Sequence, residues 1–180
     1  MRVFEVAHLD PEEQYWQNPD PDTMWLTDKL ILASKMGYKC GPAGIDVPES
    51  GDYIVRPVVN AYGLGIGAEK MFIKDTTTHI PPGFFWCEWF EGRHLSVDYK
   101  NGEQSVCVEG FKKEDTFLKW DRWARTMDVV PMPEQIQDAV SGHDVVFHLA
   151  LCSSMHPHNP HLICCVFICG HLVHASNLAA

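Results

Sequence analysis

The sequence predicts an α+β fold built from antiparallel strands and short helices. Two observations carry this prediction: apolar, β-branched segments are separated by turns that contain glycine, and other short stretches have helical spacing between prolines and glycines. With 180 residues, 46% hydrophobic content and six Trp, the chain can bury a core in one domain or in two small lobes. These values disfavour intrinsic disorder and repeat folds.

Four segments are predicted to be helical. Each has a start or stop signal, such as the Asp-Pro-Glu-Glu run of the first helix or the glycine that follows the second. The predicted helices cover residues 10–18, 23–36, 117–125 and 133–140.

Strands are predicted where β-branched and aromatic residues cluster. They cover residues 53–59, 70–74, 84–90, 94–100, 103–111, 145–152 and 162–173. The dipeptide Asn101-Gly102 predicts a two-residue hairpin. An uninterrupted pairing from this turn sets Val97 opposite Val106 and Leu95 opposite Val108, which gives one apolar face.

A glycine-rich loop lies between the first two predicted strands. Residues 60–68 carry glycine at three alternate positions, which lets the backbone approach a ligand and point N–H groups at an anion. A mobile hairpin tip is the simpler interpretation. The position of Arg56 in the apolar strand before the loop supports the anion-binding interpretation instead. A charge in such a strand is costly unless it meets a partner such as phosphate.

Charge is distributed unevenly along the chain. The net charge is −10, from 24 acidic and 14 basic residues, which disfavours nucleic acid as a partner. All of these residues lie between positions 1 and 144, and the tail from 145 to 180 has none. Its apolar runs are shorter than the ~20 residues that span a bilayer, so no membrane partner is expected.

Cellular location is predicted from the start of the chain and from its cysteines. The first residues lack the apolar stretch of a secretory signal. Seven cysteines, an odd number without a scaffold spacing, favour reduced thiols and a cytoplasmic location.

Four segments in order resemble the ATP-grasp family: Asp28 to Gly37, Tyr53 to Pro57, the glycine-rich loop, and Trp86 to Asp98. The chain is most similar to short ATP-grasp-like proteins of tailed bacteriophages, for which the location would be the host cytoplasm. The resemblance implies two small lobes with antiparallel sheets and a nucleotide cleft between them. It also implies a division into an N-terminal helical extension, an N-terminal lobe with the glycine-rich loop, and a C-terminal lobe, at residues 1–20, 21–92 and 93–180.

The resemblance assigns roles to individual residues. Lys29 matches the lysine of the family's Asp-Lys pair that reaches the phosphates, and Arg56 takes the position of the usual phosphate-contacting lysine. His94 falls where many members have a glutamate for the ribose hydroxyls, and an imidazole can also form such hydrogen bonds. The remaining matches are the lid over the phosphates and the adenine-contacting strand: Tyr62, Gly63, Gly65 and Gly67, then Glu88, Trp89 and Phe90.

The expected ligands are ATP, Mg²⁺ and a small carboxylate or peptide substrate that the sequence does not identify. Family members transfer the γ-phosphoryl group to a carboxylate and end with two strands that place carboxylates on the metal. In this sequence those positions are occupied by Val166, His174 and Ser176. None of them has a carboxylate, and Mg²⁺ is a hard ion that prefers oxygen ligands. Two functions are therefore open: an ATP-dependent carboxylate–amine ligase, or a degenerate nucleotide-binding or interaction protein.

The composition of the tail also raises the question of a site for a different metal ion. Its histidines and cysteines are suitable ligands for Zn²⁺, but no paired CxxC or HxxxH spacing is present. Small core cysteines and a solvated histidine turn are the favoured interpretation. These side chains are His156, His158, His161, Cys164, Cys165, Cys169, His171 and His174.

Overall fold

The computed structural model describes residues 21–59, 67–77, 79–100, 102–112 and 121–141, and the backbone of two further strands at 145–152 and 163–167. The helix predicted at 10–18 and most of the glycine-rich loop, residues 60–66, lie outside this part of the chain.

The first sheet has four strands, which follow a 3-10 turn at Met24–Leu26 and the helix α1 at Lys29–Lys35. The strands are β1 at Cys40–Pro42, β2 at Gly51–Pro57, β3 at Glu69–Ile73 and β4 at Phe84–Glu88. All pairings are antiparallel, and the order across the sheet is β1-β4-β2-β3.

The second sheet has five strands, and a short helix, α2, lies at Glu134–Gln137 within the segment predicted as helical. The strands are β5 at Gly92–Lys100, β6 at Glu103–Phe111, β7 at Arg122–Arg125, β8 at Val145–Cys152 and β9 at Ile163–Phe167. All pairings are antiparallel, and the order across the sheet is β7-β6-β5-β8-β9. The predicted α+β class with antiparallel sheets is confirmed.

The single helix predicted over 23–36 is wrong. Asp28 is extended and caps α1, and its carboxylate accepts a hydrogen bond of 2.8 Å from the Ile31 amide, so the chain breaks before Lys29. Gly37 ends the helix as expected, with φ +79°.

The predicted hairpin forms between β5 and β6, but its register is wrong beyond the first two residue pairs. A bulge shifts the pairing at Asp98/Tyr99, so Val97 faces Cys107 instead of Val106. The extra residue belongs to β6, where the Ser105 hydroxyl donates a hydrogen bond of 3.1 Å to the Asp98 carbonyl. The pairing that the turn dictates therefore extends only as far as the bulge.

The helix predicted at 117–125 is also wrong where the structure describes it. Residues Arg122–Arg125 form the edge strand β7 and pair with Val108–Phe111 of β6. The Asp121 amide donates a hydrogen bond of 2.9 Å to the Phe111 carbonyl at the start of this pairing. Backbone pairing with β6 outweighs the amphipathic pattern of this short segment.

Helix α1 contributes to the cores of both sheets. Leu32 packs in a cluster with Leu95 and Val97 of β5, whereas Ala33 packs with Ile54 and Phe85 of the first sheet. The opposite face of the first sheet has its own cluster around Trp86. Among the described residues, no helix has the length and apolar character needed to cross a bilayer.

Candidate functional site

Two buried cationic side chains line one cavity between α1 and the first sheet. Lys29 is 4% exposed and Arg56 is 5% exposed. The cavity has a volume of about 20 Å³, which is room for about one water molecule. Its wall is completed by Leu32, Ala33, Tyr38, Ile54, Phe85 and Cys87.

Backbone contacts hold the two cations at the same place. The Lys29 amide donates a hydrogen bond of 2.9 Å to the Val58 carbonyl, which fixes the start of α1 beside the end of β2. Arg56 lies near that end of β2 and pairs with Phe85 of β4. Because Ile54 and Arg56 are two residues apart on one strand, both side chains point to the face that α1 covers. The structure thus brings together the two residues predicted to contact phosphate.

The glycine-rich loop rejoins the described chain at the end of β2. Gly67 has φ +78°, and a Cβ atom on it would lie 3.3 Å from Cγ of Pro57, the residue after Arg56. A side chain at position 67 would thus be both strained and tightly packed. The loop therefore returns next to the strand that carries Arg56, whereas Tyr62, Gly63 and Gly65 lie outside the described residues.

The three predicted adenine contacts have different surroundings. Phe90 packs edge to face against Tyr38 of the cavity wall, with ring centroids 5.3 Å apart. Glu88 exchanges two hydrogen bonds of 2.9 Å with Lys39: its amide donates to the Lys39 carbonyl, and its carboxylate accepts from the Lys39 amide. The ring of Trp89 lies 4.7 Å from the ammonium group of Lys70. The Phe90–Tyr38 contact thus joins this segment to the cavity wall, and Trp89 packs against the cluster of Ala33 and Ile54.

His94 lies in the second sheet. It is 8% exposed and sits on β5, with its ring packed edge to face against Trp123 at 5.7 Å. Since Trp123 belongs to β7, this contact places His94 beside that edge strand. Its assignment to the ribose remains a prediction.

The predicted metal positions are described only in part. Val166 lies in β9 and pairs with Leu149 of β8, whereas His174 and Ser176 fall outside the described residues. Valine has no donor atom for a cation, so this position does not fit a Mg²⁺ ligand. Within the described ranges, no three His, Cys, Asp or Glu side chains form a group that could hold a metal ion.

Sequence analysis assigned no role in a site to the six other residues of the cavity wall, which are Leu32, Ala33, Tyr38, Ile54, Phe85 and Cys87. Phe85 pairs with Arg56, and Cys87 pairs with Ile54. Alternation along β4 would have identified the last two, had the register between β2 and β4 been known. That register joins strands far apart in sequence, and no turn signal sets it.

Neither a protein-family model nor a curated protein matches this chain. Solved structures do show similarity. The D-alanine–D-alanine ligase from Bacillus anthracis, complexed with ATP, is 13% identical with a TM-score of 0.45, over 84% of this chain and 57% of that one.

Two structures of the ATP-grasp ligase PsnB are similar at the same level. The complex with a minimal precursor has a TM-score of 0.43 and 12% identity, over 72% of this chain and 49% of that one. The complex with a phosphomimetic precursor variant, Mg and ADP has a TM-score of 0.44 and 11% identity, over 74% and 48%. This chain therefore spans about half the length of the solved chains.

Proposed function

We propose that this chain binds ATP, with the phosphates at Lys29 and Arg56. The observation that carries the proposal is that these two cations, which come from separate segments with ATP-grasp-like sequence, are buried in one cavity. Two cationic side chains that line one cavity concentrate positive charge there, and an anion matches that charge. A triphosphate supplies that anion, and guanidinium groups bind phosphate in a bidentate manner.

The rest of the nucleotide lies outside the cavity in this proposal. Since the cavity holds only about one water molecule, the ends of Lys29 and Arg56 swing outward when phosphate binds. The loop that ends at Gly67 covers the phosphates with its amides. The adenine contacts the segment Glu88 to Phe90, and the Phe90–Tyr38 contact joins that segment to the cavity wall.

The proposed reaction is ATP-dependent ligation of a carboxylate to an amine. A carboxylate oxygen of the substrate attacks the γ-phosphorus, the bond to the β–γ bridging oxygen breaks, and ADP leaves. The amine then attacks the acyl carbon of the acylphosphate, and inorganic phosphate leaves with the bonding electron pair. Catalysis of the first step is mostly positioning and neutralisation of charge, which are the tasks we assign to Lys29 and Arg56. We further propose that 21–92 and 93–180 act as two lobes, because the first sheet lies within 21–92 and the second, apart from its first residue Gly92, lies within 93–180.

The second candidate function is nucleotide binding without phosphoryl transfer. The observation that favours it is Val166 on β9, at a position where the resemblance expects a metal-binding carboxylate. If the metal is not held by the protein, the charge of the transferring phosphoryl group is poorly neutralised and transfer is slow. Nucleotide binding is common to both candidates, so it is tested first.

The deciding experiment is a thermal-shift titration of the full chain with ATP, with and without Mg²⁺. A ligand that binds only the folded state stabilises it by RT ln(1 + c/Kd), where c is the free ligand concentration, so Tm rises with the ligand concentration. A rise of Tm that occurs only with Mg²⁺ supports the ligase. A rise that is the same with and without Mg²⁺ supports the degenerate nucleotide-binding protein. ADP and inorganic triphosphate serve as further ligands. If Tm does not respond to any of them, both candidates are wrong.

A further inference from the structure

Two cysteines face each other on neighbouring strands of the first sheet. Cys40 of β1 is the direct partner of Cys87 of β4 in an antiparallel pairing. Two other pairs of the same ladder, one position before and three positions after the cysteines along β1, show the hydrogen-bonding pattern. Glu88 donates its amide hydrogen to the Lys39 carbonyl at 2.9 Å, and Ala43 donates to the Phe84 carbonyl at 3.1 Å. Because such pairs alternate along an antiparallel ladder, Cys40 and Cys87 form a non-hydrogen-bonded pair.

This kind of pair brings side chains closest together. Directly opposed Cα atoms are about 4.5 Å apart in a non-hydrogen-bonded pair, which lies within the range of about 4.4 to 6.8 Å that disulfides need. Both thiols also lie on the same face, since Cys87 belongs to the apolar cluster of Ala33 and Ile54 and Cys40 packs against that cluster. The backbone therefore accommodates an S–S bond here without separating the strands.

We propose that Cys40 and Cys87 form a thiol–disulfide modification site that reacts with low-molecular-weight disulfides of the glutathione type. This inference does not depend on nucleotide binding. Both cysteines are reduced in the described structure. The two thiols differ in access, because Cys87 is 3% exposed whereas Cys40 is half-buried on an edge strand.

The difference in access sets the order of the two steps. The Cys40 thiolate attacks one sulfur of the external disulfide RSSR, forms the mixed disulfide Cys40–S–SR, and releases RS⁻. The Cys87 thiolate then attacks the Cys40 sulfur, the S–SR bond breaks, and a second RS⁻ leaves. The two protons lost by the protein thiols end on the two RS⁻ groups. The protein is thus oxidised by two electrons and RSSR is reduced to two RSH.

The other cysteine with a described side chain supplies a control. Cys107 is buried in the second sheet, where its partner on β5 is Val97. It has no cysteine opposite it on that strand. A Cys107→Ser variant therefore leaves the proposed pair intact.

The test is peptide mapping of the full chain after treatment with oxidised glutathione and blocking of the remaining thiols with an alkylating agent. The expected result is a cross-linked peptide that joins Cys40 to Cys87, has lost two hydrogen atoms, and disappears on reduction. The same link forms in Cys107→Ser. Oxidation also raises Tm by several degrees, since the bond constrains the unfolded chain.

Single variants separate the two steps. Cys87→Ser retains a glutathione adduct on Cys40, whereas Cys40→Ser forms no adduct on Cys87 while the protein is folded. If Cys87→Ser fails to fold, Cys40→Ser and the wild-type map still decide the question, because Cys40 is not fully buried. Complete alkylation of both cysteines after oxidation, or links from either of them to other cysteines, overturns the proposal.

Discussion

Lys29 at the start of α1 and Arg56 near the end of β2 are both buried, and both line the same cavity. The hydrogen bond from the Lys29 amide to the Val58 carbonyl fixes this arrangement through the backbone. Removal of either charge therefore leaves the position of α1 largely intact. This makes the two residues suitable for substitution by an uncharged side chain of similar length.

The first prediction concerns these two charges. Lys29→Met and Arg56→Met each weaken ATP binding by about 10- to 100-fold, the equivalent of one lost charge-assisted contact. The measurement is displacement of a fluorescent ATP analogue. Lys35→Met is the matched control, because Lys35 lies on the same helix but is exposed and packs over the Trp25 ring at 4.6 Å. Equal affinities for all three variants contradict the assignment.

The second prediction concerns the metal. Val166→Glu combined with His174→Glu restores oxygen ligands at two positions where the resemblance expects them, so ATP binding becomes dependent on Mg²⁺ or more strongly so. The readout is the ATP affinity at several Mg²⁺ concentrations. The matched control is Val166→Gln with His174→Gln, which has a similar shape without the charge. An unchanged dependence on Mg²⁺ in the glutamate variant means that β9 is not the metal-binding strand.

The sequence predicted features that local signals determine. Gly37 ended α1 and Asn101-Gly102 joined β5 to β6, because a positive φ or a two-residue turn depends on neighbouring residues alone. The register beyond Asp98 and the strand at Arg122–Arg125 were mispredicted, because a bulge and a pairing with β6 decide them. Contacts between distant segments leave no local signal.

In the candidate site, too, residues with local signals were identified, and residues placed by pairing between distant segments were not. Lys29 and Arg56 were found through motifs in their own segments, and the structure then showed that they share a cavity. Phe85 and Cys87 were missed, because their place in the wall depends on the pairing of β2 with β4. The three-residue strand β1, in a segment with loop composition, was missed because its pairing with β4 lies outside the reach of local patterns.

The third prediction concerns close packing in the first sheet. A Cβ atom on Gly41 would lie 2.7 Å from the Trp86 ring. That ring is held in place, since its N–H donates a hydrogen bond of 2.8 Å to the Ile45 carbonyl. Gly41→Ala therefore lowers the free energy of unfolding by about 1 to 3 kcal/mol, as measured by urea denaturation. Gly51→Ala is the control, because its Cβ would meet nothing closer than 3.9 Å, and an equal loss there contradicts the argument.

The fourth prediction concerns stability in acid. The Arg93 guanidinium donates two hydrogen bonds to Glu109, at 2.9 and 2.7 Å, and one to Asp128 at 2.6 Å. These hydrogen bonds hold the pKa of both carboxyl groups below their ordinary values, and the Thr126 hydroxyl lowers that of Asp128 further. The stabilisation is complete at pH values above the ordinary carboxyl pKa of the unfolded chain. It is lost as the pH falls from there through the lower pKa of the folded state, because over that interval the unfolded chain binds protons that the folded chain does not.

Urea denaturation at a series of pH values tests this fourth prediction. Arg93→Met lowers the free energy of unfolding at pH 7 by about 1 kcal/mol or less, as expected for a partly exposed ion pair. It also flattens the fall of stability below pH 5. Arg122→Met is the control, because that side chain packs over the Phe111 ring at 4.5 Å. If the free energy of unfolding of Arg93→Met falls as steeply below about pH 5 as that of the wild type, the hydrogen bonds of Arg93 to Glu109 and Asp128 do not determine stability in acid.

The fifth prediction concerns the reactivity of Cys40. Burial raises the pKa of its thiol, and the Glu88 carboxylate raises it further. The thiol is therefore protonated at neutral pH, and alkylation accelerates as the pH rises, because the thiolate is the nucleophile. Glu88→Gln removes the charge and keeps an acceptor for the Lys39 amide, so it increases the alkylation rate at pH 8 severalfold. Glu91→Gln, a change at an exposed position, leaves the rate unchanged. Equal rates in both variants mean that burial alone controls the Cys40 thiol.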